Sequence, residues 1–296
     1  MRYLMISVSK GLKDKHLWYF FVAPGTLTLI LVLGFPAVIT VMYSITPERG
    51  RIFDAITAGN YIRVMRDPLF WNSFQNTLLF VASSVGFHLI LGLALALLLN
   101  EALRGNLVFR IIMLLPWTIP DVVAGIIWKW MLNPMYGVVN DVLFKMNLIE
   151  EPILWLSNAN QAFPSLIACN IWRGFPFVMI ILLAGLKSIP RELYEAAAID
   201  GASMLQRFRY VTVPGLRKMI VIALALDTVW EFRRFGLVKA MTEGGPGHTT
   251  EILSLSVYKQ YFEFFRFEYA SAVAIVMSIV LLVFSLPYIL MIVKER

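Results

Sequence analysis

Tyr194-Glu195-Ala196-Ala197-Ala198-Ile199-Asp200-Gly201-Ala202, and a little further on Val211-Thr212-Val213-Pro214, form a short loop between two long apolar stretches. Ser188 and Pro190 suit a helix start, because proline in a first turn gives up no needed hydrogen bond. Glu192 falls near the positive end of that helix. Leu193, Ala196, Ala197 and Asp200 follow at helical spacing, and Gly201 permits the turn that ends it. A second short helix is expected from Ser203 to Val211, with Pro214 stopping it. The spacing therefore predicts a helix–turn–helix across one mouth of a helical bundle. The small face Ala196–Ala198 lets a partner approach closely, and Glu195 and Asp200 offer charges to a partner's Arg or Lys. The competing reading is an amphipathic linker lying on lipid.

The surroundings of this loop set the fold class. The chain has 296 residues, of which 59% are hydrophobic and only 15% charged. Soluble domains carry roughly 25% charged residues. Mean hydropathy is +0.72, and the charges cluster between apolar runs long enough to cross a bilayer. Six spans are predicted near 17–45, 72–100, 107–132, 163–186, 217–236 and 269–293. They must be helical, since backbone groups in lipid have no water to bond. Prolines at 24, 36, 116, 120, 176 and 287 predict kinks or helix ends within them. The expectation is an all-α integral membrane protein with a single transmembrane domain over 17–293, the loop at 188–216, a segment 1–16 and a tail 294–296. The first apolar run follows Lys10, Lys13 and Lys15 and is too long for a signal-peptide core, so it reads as an uncleaved anchor.

With the N-terminus inside, Arg2, Lys10, Lys13, Lys15, Arg104, Arg110, Lys187, Arg191, Arg207, Arg209, Arg217, Lys218, Lys294 and Arg296 fall on one side at higher density than the Lys and Arg of the other, which predicts that this side, with both termini and the 187–216 loop, is cytoplasmic. The same flanking rule accounts for a net charge of +7 without nucleic acid. One cysteine, Cys169, excludes an internal disulfide. The histidines His16, His88 and His248 show no metal-ligand spacing, and no metal is expected. His88 reads as a packing residue.

Polar groups within apolar spans are costly and are functional candidates by default. In the fifth predicted span Asp227, Trp230, Glu231 and Arg234 share one helix face. In the fourth, Arg173, Gly174 and Phe177 lie a turn apart, with Asn170 close by. Aromatic faces can pack the C–H surface of a sugar while charged groups bond its hydroxyls. Trp230 and Phe177 suit the first task; Asp227, Glu231, Arg173 and Arg234 suit the second. The alternative is an internal ion pair between Arg173 or Arg234 and Asp227 or Glu231; the two readings are compatible. Asp121 follows Pro120 and can cap a helix restart, and Lys129 can snorkel to the interface. The segment 251–268 places Ile252, Leu255, Tyr258, Phe262 and Phe265 at helical spacing, which predicts an amphipathic helix on the outer surface that either helps to receive a binding protein or packs over the span ends.

The 194–214 string resembles the "EAA" coupling loop of binding-protein-dependent ABC-importer permeases; Lys218 stands where many members have another proline. Further segments resemble the sugar-importing, maltose-type branch. These are Leu115-Pro116 with Ile119-Pro120, Trp128 before Gly137 and Asn140, Trp172-Arg173-Gly174-Phe175-Pro176-Phe177 before Ala184-Gly185-Leu186, and Thr242-Glu243-Gly244-Gly245-Pro246 before Thr249-Thr250 and Tyr258. The resemblance spans roughly residues 17–293. It implies a type I importer permease of the prokaryotic cytoplasmic membrane, itself not an enzyme and binding no cofactor. It implies coupling through Glu195, Ala196, Ala197, Asp200, Gly201 and Pro214 to a cytosolic ATPase dimer that uses ATP and magnesium. It also implies a second, usually non-identical permease, an extracytoplasmic solute-binding protein and a carbohydrate cargo, with Asn170, Arg173, Gly174, Phe177, Asp227, Trp230, Glu231 and Arg234 near the substrate path.

The sequence lacks the phosphate loop needed to bind ATP, so any such motor is a separate chain; Gly244-Gly245-Pro246-Gly247 lacks the lysine and reads as a turn. Two other classes stay in view. One is an ion-coupled secondary transporter using Asp227 and Glu231 as proton carriers. The other is an intramembrane enzyme pairing Asp121 with Asp227. Within the importer reading, glycerol phosphate or a phosphodiester is the rival cargo, bound through Arg173, Arg233 and Arg234.

Overall fold

The computed structural model describes residues 17–48, 56–101 and 105–294. The segment 1–16, Arg104 and the last two residues of the tail fall outside them. In chain order the helices are α1 (Leu17–Leu29), α2 (Phe35–Ile45), α3 (Gly59–Arg66), α4 (Pro68–Asn100), α5 (Asn106–Thr118), α6 (Asp121–Met131), α7 (Val138–Lys145), α8 (Ala159–Ser188), α9 (Arg191–Ile199), α10 (Met204–Arg207), α11 (Val213–Phe232), α12 (Gly236–Met241), α13 (Leu253–Tyr258) and α14 (Phe267–Lys294). Single π-helical turns join α1 to α2, α10 to α11, and extend α13. The described residues form no strand, as expected of a chain that must satisfy its backbone within lipid.

Among the described residues, four runs are long and apolar enough to span a bilayer alone: Phe21–Ile45, Pro68–Asn100, Ala159–Ser188 and Phe267–Met291. The stretch expected as a single third span is instead broken. Leu107–Thr118 and Asp121–Met131 meet at 96°. Pro116 and Pro120 flank that corner and remove the donors that would carry the helix through it. The fifth expected span, α11, is long enough but less apolar, because it carries Arg217, Lys218, Asp227 and Glu231. Four runs span unaided and the bent pair makes five, so a count of six depends on α11.

The helices α4 and α8 lie side by side in parallel. Near their C-termini Ala96 and Leu99 pack with Val178, Leu182 and Leu186 in one apolar core, which Leu216 at the start of α11 completes. A second core, at the other end, joins Phe80, Ala124, Leu166, Cys169, Leu237, Met241, Ile252 and Leu255. Between these cores the helices carry their polar residues. Two glycines set the spacing there. A methyl on Gly92 would lie 3.0 Å from the Met179 backbone nitrogen, and one on Gly174 would lie 2.1 Å from His88 Cε1.

One expectation about the loop is corrected. Pro214 does not end the second loop helix. The chain stays helical from Met204 to Phe232, with Pro214 in the first turn of α11, where a proline costs no hydrogen bond. Of the two readings of 251–268, the structure has packing over the span ends: Ile252 and Leu255 are buried in the second core, and only the far end, with Phe262 and Phe265, is exposed. The Gly244–Gly247 stretch is a turn, as expected, with Gly244 at φ +86° and Gly247 at φ +55°.

Gly174→Ala is expected to destabilise the purified chain by about 1–3 kcal/mol through overpacking against His88. Gly86→Ala, whose added methyl meets nothing within 4 Å, should be neutral or stabilising by up to about 1 kcal/mol. Thermal unfolding in detergent, comparing the two variants with the parent, checks this.

Candidate functional site

The polar residues of α4, α8 and α11 converge on one buried network. His88 Nδ1 lies 2.9 Å from Asp227 Oδ2, and His88 Nε2 lies 3.1 Å from the Asn170 carbonyl oxygen. Asn170 Nδ2 donates to Ser84 Oγ at 2.8 Å and to Glu231 Oε2 at 2.6 Å. Arg234 donates to both Glu231 oxygens and, at 2.9 Å, to Asp121 Oδ1. Arg173 closes the set, pairing with the same Asp121 oxygen at 2.7 Å and donating from Nε to the Ile119 carbonyl at 3.2 Å. His88, Asn170 and Glu231 are fully buried. A charge there is tolerable only when paired and hydrogen-bonded.

The network ties four elements together. Asp121 opens α6 just after the 96° corner, and both arginines hold it. The Ile119 carbonyl at that corner accepts from Arg173. The break left by Pro120 is thus fixed by α8 and by the end of α11. The expected ion pair within the bundle exists as Arg234–Glu231. Asp227, however, pairs with His88, and Arg173 with Asp121. His88 is thus buried with both ring nitrogens satisfied, whereas Asp121 is an ion-pair partner and not the cap of α6, whose N-cap is Pro120 with no side-chain cap bond. His88, Asp227 and Glu231 bring possible metal-ligand atoms within 4.8 Å of one another. Both Glu231 oxygens already accept from Asn170 and Arg234, so the group is a hydrogen-bonded network rather than a cation cage.

On one side of the network is a cavity of about 240 Å³ lined by Trp117, Arg173, Gly174, Phe177, Asp227, Trp230 and Arg234. Its wall is aromatic. Phe177 and Trp230 have centroids 4.4 Å apart, and Trp117 stacks on Phe177 at 6.0 Å. Six of the eight expected substrate-path residues line this cavity; Asn170 and Glu231 sit behind it as buried supports. Trp117 was not foreseen. The available signal was its place beside Pro116 and Pro120, where the broken helix turns its last aromatic toward α8. Arg233 is exposed and does not line the cavity.

At the far end of the bundle, α9 and α10 form the expected helix–turn–helix. Gly201 sits at φ +76°, and the Ala202 amide closes the turn on the Ala197 carbonyl at 2.9 Å. Ser203 and Gln206 form a reciprocal capping box at the start of α10. Tyr194 Oη and Thr212 Oγ1, 3.0 Å apart, hold the loop against the root of α11. Glu195, Ala196, Asp200, Gly201 and Pro214 are exposed and Ala197 is half-buried. Around them Ile199 is 87% and Met204 82% exposed, large apolar groups facing outward beyond the last bundle contacts.

Residues 88–294 match the model of the family described as "binding-protein-dependent transport system inner membrane component". The chain belongs to this family. It is an inner-membrane permease component of an ABC transporter, not itself a catalyst, and the ion-coupled and intramembrane-enzyme alternatives fall away. Among its relatives is the trehalose/maltose transport system permease protein MalF of Thermococcus litoralis, 34% identical over 93% of this chain and 93% of that one. The sulfoquinovosyl glycerol transport system permease protein SmoG of Agrobacterium fabrum is 36% identical over 90% of this chain and 87% of that one. The fold is that of a subunit of a bacterial ABC transporter involved in the import of the acidic polysaccharide alginate. The TM-score is 0.83 at 24% identity, covering 94% of this chain and 95% of that one.

Asp121→Ala should cost about 1.5–3 kcal/mol, because it leaves Arg173 without its carboxylate while Arg234 keeps Glu231. Pairing it with Arg173→Ala should recover part of the loss, giving a coupling energy of about 1–3 kcal/mol. A double-mutant cycle on denaturation of the detergent-solubilised chain measures this.

Proposed function

We propose that this permease forms one half of the translocation path of an ATP-driven importer for a carbohydrate, with the 240 Å³ cavity as part of that path. The observation that carries the reading is an aromatic wall, Trp117, Phe177 and Trp230, facing side chains whose charges are already paired. Sugars are neutral, present C–H faces to stacked rings and exchange hydrogen bonds with polar groups. The names of the MalF and SmoG relatives point to the same cargo class.

A phosphorylated solute is the lesser reading. Arg173 and Arg234 are both engaged by carboxylates, and Asp227 adds a further acidic group to the lining. A phosphate would have to displace those partners to gain a bidentate contact. The neutral cargo requires no such exchange.

Coupling in this reading runs through Glu195, Ala196, Ala197, Asp200 and Gly201, with Pro214 fixing the loop's return into α11. The loop docks on a cytosolic ATPase dimer that consumes ATP and magnesium. A second homologous permease completes the path, and an extracytoplasmic solute-binding protein delivers the sugar. With α11 as a span despite its charges, six spans place both termini and the loop in the cytoplasm. The loop is attached to α8 at one end and to α11 at the other, the two helices that carry the cavity wall. A push on it acts on both sides of the cavity.

Trp230→Ala should lower uptake at limiting sugar by about tenfold, the loss of roughly 1.4 kcal/mol of ring contact, with assembly of the transporter unchanged. Unaltered uptake at limiting sugar would remove Trp230 from the path. For the loop, Gly201→Val should uncouple ATP hydrolysis from uptake because a β-branched residue resists φ +76°. Gly201→Asn should retain most coupling, since asparagine tolerates that backbone and the space around the position is open. Uptake and ATPase rates of the reconstituted complex test the pair; equal coupling in both variants contradicts the assignment.

A further inference from the structure

At the end of the bundle opposite the 188–216 loop lies a second cavity, of about 430 Å³, lined by Glu48, Arg63, Arg66, Asp67, Arg266 and Tyr269. It sits where α2 ends and where α4 and α14 begin, with α3 laid across those ends. The floor is firmly built. Asn60 of α3 is buried and donates from Nδ2 to the Ser44 and Thr46 carbonyls at 3.0 and 2.7 Å. Tyr61 bonds Ser44 Oγ at 2.7 Å, and Trp71 Nε1 donates to the Met65 carbonyl at 2.8 Å.

The charges in this cavity are not balanced as those of the central network are. Arg63 pairs with Glu48 at 2.7 Å. The Asp67 carboxylate is used internally: Oδ1 accepts from the Leu69 amide at 2.8 Å to cap α4, and Oδ2 accepts from the Tyr269 hydroxyl. Among the described residues, neither Arg66 nor Arg266 has a carboxylate within ion-pair distance, and both are exposed. Arg266 leans over the Phe264 ring at 6.0 Å. Two guanidiniums that have no carboxylate partner among the described residues, facing one cavity, make a receptor for an anion with several acceptor oxygens.

The exposed apolar residues next to these arginines in the chain say which anion. Ile62 and Met65 on α3, Leu69 and Trp71 at the start of α4, and Phe264 and Phe265 before α14 are all exposed. Apolar and aromatic side chains bordering arginines at the ends of spans are the pattern of the membrane–water interface. A soluble anion needs no such apolar neighbours, whereas a headgroup whose acyl chains continue along α2 and α14 does.

We propose that this cavity binds the phosphodiester of an anionic phospholipid in the leaflet away from the coupling loop, with Arg66 and Arg266 as its ligands. Occupancy would fasten α3 to the bilayer surface beside the first turns of α4 and α14. The test uses the full-length chain in detergent micelles doped with phosphatidylglycerol, with bound lipid read by native mass spectrometry. The double variant Arg66→Ala/Arg266→Ala should bind phosphatidylglycerol about 25-fold more weakly, about fivefold per arginine. Arg66→Lys/Arg266→Lys should stay within about fivefold of the parent, since lysine keeps the charge and loses only the bidentate fork. An unchanged thermal midpoint shows that both variants are folded. Equal lipid retention in the alanine variant overturns the proposal. Displacement of the lipid by millimolar inorganic phosphate overturns it in favour of a soluble anion. Weakened solute-binding-protein association at unchanged lipid retention overturns it in favour of an acidic protein face.

Discussion

The structure depends on one requirement: two arginines, three carboxylates and a histidine must coexist inside an apolar bundle. Each would be prohibitively costly alone. They are tolerable because Asp121 bridges Arg173 and Arg234, Glu231 takes Arg234 and Asn170, and Asp227 takes His88. The requirement dictates geometry as well as charge. Bringing His88 within reach of the Asn170 carbonyl leaves no room for a side chain at 174, and holding Asp121 forces the corner between α5 and α6 to a fixed place.

From that fixed point the rest follows mechanically. Arg173 and Phe177 stand on α8, Asp227 and Trp230 on α11. About 17 Å of helix separates Phe177 from Ser188, and about 25 Å separates Trp230 from Val213, at 1.5 Å per residue. The 188–216 loop hangs between those two ends. The apolar core formed by Leu182, Leu186 and Leu216 packs the two helices together just inside the loop. Close-packed cores shift between discrete arrangements rather than deforming smoothly. In the proposed reading, a displacement of the loop would be passed along two stiff helices that both line one cavity.

Much of this was legible in the sequence because its signals are local. Apolar run length marked the span helices, and the glycine and alanines of 195–201 marked the helix–turn–helix. The i, i+3, i+4, i+7 spacing of Asp227, Trp230, Glu231 and Arg234 put these four on one face. What stayed hidden was pairing across the fold. Nothing in α11 says that Asp227 answers His88, 139 positions earlier, or that the second partner of Arg234 is Asp121 on a different helix. The proline pair at 116 and 120 announced a break but not its 96° angle, so Trp117 could not be placed in the cavity wall. Pro214 misled for a related reason: a proline reads as a stop unless one knows that it occupies a first turn.

The claim at the centre of this account is that the cavity walled by Trp117, Phe177 and Trp230 is occupied by cargo. Cysteine accessibility tests it most directly. The native Cys169 is buried, so a cysteine placed at Phe177 would dominate maleimide labelling of the intact transporter. A panel of neutral mono- and disaccharides, presented with the binding protein, should contain at least one that slows labelling at this position and not at an exposed control such as Met135. Equal labelling rates with and without a sugar that the same transporter demonstrably imports would contradict the account.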